Sequence, residues 1–190
     1  MRADLPALAG RWRSAAPIRA VLVPALVDAE TAAALRRDLR FEPFFLADRG
    51  HYEISTTPSP SLFESLAKIA SAIAGQPLAP ARARWLRLVH GDFALYKDDA
   101  RTWRGHACEL VVDLSAAATG AAEVMFSNGR AFFPVPQTPL AGALVERRGG
   151  VTRYDRYLSH RVGEAEVFRL SLALHPEDPG TEGEPGAEHR

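Results

Sequence analysis

VFRLSLAL, residues 167–174, reads as a strand that is apolar on both faces except for a guanidinium at Arg169 and a hydroxyl at Ser171. Successive side chains of a strand point to opposite faces, so Arg169 and Ser171 share one face while Phe168, Leu170 and Leu172 share the other. A charge embedded in such a strand is buried and needs an anionic partner. Two sources fit: a carboxylate of the protein itself, or the carboxylate of a bound ligand, which an Arg fork beside a hydroxyl matches in geometry.

Working outward, short runs of the same kind recur upstream at 83–97, 107–115, 121–127, 130–136, 140–148 and 151–162, each set off by Gly, Ser, Asn or Pro. Short strands at regular spacing with turn residues between them argue a β-sandwich or barrel. Before Pro80 the period is helical. VDAETAAALRRDLR (27–40) repeats Ala32, Leu35 and Leu39 behind an Asp28 cap, and SPSLFESLAKIASAIAG (59–75) repeats Leu62, Leu66, Ile69 and Ile73 up to a Gly75 stop. The expected architecture is mainly β with flanking helices, two of them packed outside a double-sheet jelly roll. The 190 residues suit one core.

Composition narrows the function classes. With 23 basic and 23 acidic residues, the chain lacks the footprint of a general nucleic-acid binder. Its three tryptophans, Trp12, Trp85 and Trp103, are then expected to fill core or rim sites. A single cysteine, Cys108, excludes an internal disulfide and a thiolate zinc site, and is expected to be a small buried hydrophobe. No apolar run approaches the ~20 residues that span a bilayer, and the N-terminal segment does not read as a signal peptide. No membrane or nucleic-acid partner is expected, and the cytoplasm is the expected location. ERRGGVTRYDRY (146–157) reads as a solvated hairpin around a Gly-Gly turn. PEDPGTEGEPGAEHR (176–190) reads as a disordered tail.

Asp99 and His160 are the other polar residues that stand out at strand ends, and each is a weak signal alone. Their order carries more: GDFALYKDD (91–99), LSHRV (158–162) sixty-one residues on from Asp99 to His160, and FRLSL (168–172) with Arg169 nine residues after His160. This order resembles the Fe(II)/2-oxoglutarate-dependent oxygenases, in the prolyl 4-hydroxylase-like branch of the double-stranded β-helix (cupin-like jelly roll). The likeness covers roughly 17–175, leaving 1–16 as an N-terminal extension. It implies Fe(II) held by Asp99 and His160, as two members of a 2-His-1-carboxylate triad. It also implies 2-oxoglutarate bound by Arg169 with Ser171, with Tyr96 and Tyr157 lining the pocket. The implied chemistry is oxidation of a small-molecule or peptidyl substrate.

The resemblance breaks at the first ligand histidine, whose position holds Lys97. A lysine with a pKa of about 10.4 is protonated at neutral pH and offers no lone pair to a metal. Three readings stand: an inactive binding or scaffold module with Lys97 at the metal position; an active site completed by His90 or His106; or a shifted pair, His90 and Asp92.

Overall fold

The computed structural model describes residues 4–46, 50–95, 107–119, 123–148 and 150–177. Tyr96, Lys97, Asp99, Trp103, His106 and the tail from residue 178 lie outside them.

Helix α1 (Leu5–Ser14) is capped by Asp4, which accepts the Ala7 N–H at 3.0 Å, and it buries Leu8 and Trp12 one turn apart. The segment expected as an extension thus packs into the main core. Strand β1 (Ala20–Val23) leads to α2 (Ala29–Asp38), where Asp28 accepts the Thr31 N–H at 2.7 Å as the sequence predicts. Strands β2 (Glu42–Leu46) and β3 (Gly50–Ser55) precede α3 (Pro60–Ala74), which ends at Gly75 with φ 71°, a left-handed turn that favours glycine.

The rest is strand: β4 (Leu78–Leu88), β5 (Phe93–Leu95), β6 (Cys108–Asp113), β7 (Glu123–Ser127), β8 (Phe132–Pro136), β9 (Gly142–Glu146), β10 (Thr152–Asp155) and, after a 3-10 turn at His160–Val162, β11 (Val167–Pro176). All pairings are antiparallel, in the order β1-β9-β6-β11-β4-β3-β5-β10-β7-β8, with β2 also on β3. The fold is a jelly roll with helices on one outer face. Strand β11 sits at its centre, paired along most of its length with β4 on one side and β6 on the other.

Alternation divides the core. Leu110 and Val112 of β6 and Leu170, Leu172 and Leu174 of β11 meet Leu8, Trp12, Leu66, Ala70 and Ile73 of the helices. Val111, Ala143 and Val145 instead meet Val124, Phe126 and Val135 between the sheets. Trp12 and Trp85 are buried, as expected of core fillers. Cys108 is buried too, and burial pushes its thiol up to about 12, so it is inert at neutral pH. Among the described residues no helix is long and apolar enough to cross a membrane.

Gly142 marks the tightest approach between strands. A Cβ there would lie 1.9 Å from the carbonyl oxygen of Val111, so β9 can dock on β6 only without a side chain at this position. Gly142→Ala is expected to cost at least about 2 kcal/mol. Urea denaturation measures this, and an unchanged midpoint would refute the β6–β9 register.

Candidate functional site

The face of β11 that bears Arg169 and Ser171 looks between the sheets, as period two requires. Register then sets their neighbours. Arg169 lies opposite Leu86 and Asp113, and Ser171 opposite Arg84 and Val111. Glu109 is on the diagonal from Ser171, within reach of a long side chain. Arg153 and Asp155 arrive from β10. That strand is four places from β11 along the sheet, about 19 Å if the sheet were flat. Contact between them therefore needs the sheet to roll over and close the barrel interior.

The result is a buried ionic cluster. Glu109 receives Arg153 Nη1 at 2.5 Å and the Ser171 hydroxyl at 2.6 Å on Oε1, and Arg147 Nη1 at 2.5 Å on Oε2. Asp155 receives Arg153 Nη2, at 2.9 Å on Oδ2 and 3.2 Å on Oδ1, and also Arg169 Nη1 on Oδ1. All six residues are buried, Glu109 and Asp155 completely. Arg147 also lies over the Phe126 ring, 5.4 Å from its centroid. Among the described residues three guanidinium groups thus meet two carboxylates.

Among the described residues Arg169 Nη2 is buried with no hydrogen-bond partner. The nearest uncommitted acid across the strand pair is Asp113. Its Oδ1 accepts the Ser115 N–H at 2.9 Å and hydroxyl at 2.6 Å, its Oδ2 has no hydrogen-bond partner, and it forms no ion pair with a described residue. Arg169 is therefore held by one Nη only. Asp155 takes Nη1 and leaves Nη2 open to a second anion.

Burial is the largest influence on Glu109 and raises its pKa. Arg153 and then Arg147, the Ser171 hydroxyl and Arg84 outweigh it, and the carboxyl sits below its ordinary 4.5.

The other sequence candidates are placed apart. His160 is exposed at the start of the 3-10 turn, and no hydrogen bond or ion pair joins it to Arg169 among the described residues. Tyr157 is 57 % exposed and does not line the interior. The pair His90 and Asp92 does not act as one unit. His90 is exposed in a turn, while Asp92 is buried, with Oδ1 2.6 Å from His51 Nδ1 and Oδ2 accepting the Val89 N–H at 2.8 Å. Asp92 is a brace for that turn. Among the described residues no three His, Cys, Asp or Glu side chains group as a metal site.

The solvated hairpin expected at 146–157 is not formed. Strand β9 pairs with β1 and β6, and β10 with β5 and β7, so the two are not partners. Its charged residues Arg147, Arg153 and Asp155 are buried because they answer charges on β6 and β11. Sequence reasoning missed them and Glu109. The signal was available: Glu109 interrupts the apolar run CELVVD just as Arg169 interrupts its own, and Arg153 and Asp155 stand two apart in TRYD.

A carboxylate whose pKa is depressed by folding stabilises the fold above its unfolded value, and that contribution fades as pH falls below about 4.5 toward the folded value. Glu109→Gln takes a shared carboxylate away from the buried Arg147 and Arg153 and is expected to cost about 3–5 kcal/mol at pH 7. The variant should also lose stability less steeply than wild type between pH 5 and 3. Thermal unfolding across that range tests both, and parallel curves would contradict the assignment.

Neither a family sequence model nor a curated protein matches the chain. Solved structures do. A Burkholderia pseudomallei oxidoreductase of the 2OG-Fe(II) oxygenase family superposes with a TM-score of 0.69 at 14 % identity, over 90 % of this chain and 91 % of that one. A Pseudomonas putida prolyl-4-hydroxylase gives 0.61 at 12 %, over 90 % and 100 %. The alpha-ketoglutarate-dependent epimerase SnoN from nogalamycin biosynthesis gives 0.57 at 15 %, over 97 % and 93 %. The chain has the fold of the 2OG-Fe(II) oxygenases, prolyl 4-hydroxylases among them.

Proposed function

We propose that the protein is a 2-oxoglutarate-dependent oxygenase-like protein that binds the carboxylate of 2-oxoglutarate at Arg169 and oxidises a small-molecule or peptidyl substrate. The observation that carries this is the buried Nη2 of Arg169, which has no partner among the described residues. A ligand carboxylate supplies an acceptor for it. The structural neighbours add support, since their described cofactor is alpha-ketoglutarate or 2OG-Fe(II).

Ser171 serves the site through Glu109, holding that carboxylate against Arg153. Asp99 and His160 would hold Fe(II), and Tyr96 would line the cosubstrate pocket. Leu95, the last described residue before Tyr96, pairs with Tyr154 beside Asp155. When bound, the metal supplies the oxidising chemistry. The chain supplies a fixed guanidinium, a water-poor interior and placement of the substrate.

A second reading has its own observation. Asp155 already pairs with Arg169, and Lys97 stands where the family places a ligand histidine, which favours an inactive module that binds or scaffolds.

Calorimetric titration with Mn(II), with and without 2-oxoglutarate, separates the two. Metal uptake, 2-oxoglutarate binding weakened at least about tenfold in Arg169→Met, and succinate release on a panel of amino acids and peptides are expected of the oxygenase. Metal binding absent in wild type and in Lys97→His alike would leave the binding module. Unchanged 2-oxoglutarate affinity in Arg169→Met would refute the site.

A further inference from the structure

The two ends of the Arg169–Asp155 pair are anchored unequally. Arg169 is on β11, ten residues long and paired on both sides. Asp155 is the last residue of β10, which is four residues long and pairs with β7 over those four and with β5 through two, Tyr154 with Leu95 and Asp155 with Ala94. Local opening is drawn from elements with few ladder bonds, so if this pair separates, β10 moves and β11 stays. The carboxylate of Asp155 also makes the contacts a ligand carboxylate would make: one bond to Arg169 and a two-oxygen contact to Arg153.

We propose that Asp155 is an internal competitor for the anion site, and that a ligand carboxylate enters by displacing it from Arg169 with an outward shift of β10. This rests on the reading of Arg169 as the anion-binding residue. Nη2 offers the incoming carboxylate a first contact while Nη1 is still held by Asp155, so exchange never leaves the guanidinium wholly unpaired. The exchange keeps the charge of the pair constant, one carboxylate replacing another. A ligand must then outbid a tethered acid, which weakens binding for any small carboxylate and favours dicarboxylates that find a second contact.

The full-length protein tests this with succinate and 2-oxoglutarate as probes. Asp155→Asn, which keeps the shape and removes the charge, is expected to bind both at least about tenfold more tightly than wild type. Asp155→Ala is expected to unfold at lower temperature and to recover with added acetate, but not with chloride at equal ionic strength. Should neither variant fold, amide hydrogen exchange on wild type decides. Saturating succinate should speed exchange at residues 152–155, whereas unchanged or slowed exchange there overturns the proposal. Equal affinity of wild type and Asp155→Asn overturns it while leaving Arg169 as the anion site. Binding by the Asp155 variants alone upholds it and favours the inactive module. Binding by no variant removes both.

Discussion

A guanidinium inside a fully paired central strand cannot reach water, so the barrel around Arg169 has to bring it an anion. The constraint is severe because the partners must come from far along the sheet. Asp155 and Arg153 reach Arg169 and Glu109 only if β10 faces β6 and β11 across the interior. The ionic cluster is thus a record of how the sheet closes. Such clusters add little net stability against an apolar core, but removing a single member is costly because it strands the rest. They specify which side chains meet, and here they specify a polar centre where the helix side of the same strands is purely apolar.

That asymmetry divides labour. The outer face of β6 and β11, with α1 and α3, supplies apolar burial and holds β11 rigid. The inner face is then free to carry charge. A rigid donor strand opposite a short acceptor strand is what an exchangeable anion site requires, since one side must keep its geometry while the other gives way.

Much of this was legible before the structure. Period two put Arg169 and Ser171 on one face, Asp28 and Gly75 marked helix ends, and the spacing of short apolar runs announced strands. The identity of Arg169's partner was not, because Asp155 is set by a contact across the barrel, while the local pattern at 146–157 suggested a hairpin with exposed charges. A Gly-Gly pair between charged residues looks alike whether the flanking strands pair with each other or with others. Helix α1 is hard to read in the sequence because its buried residues are Leu8, Ala9 and Trp12, in a short segment of arginine and small residues. The family order pointed to His160 at nine residues before Arg169, yet the chain between them turns through a 3-10 segment and leaves that imidazole exposed.

The central claim is that the open side of the Arg169 guanidinium receives a ligand carboxylate. Nitrogen-15 resonances of the arginine side chains, followed during titration with 2-oxoglutarate and assigned with an Arg169→Lys variant, read this directly. A saturable shift of the Arg169 signal is expected, levelling off at the same ligand concentration as calorimetric binding. An Arg169 signal that stays fixed while the ligand binds elsewhere would contradict it.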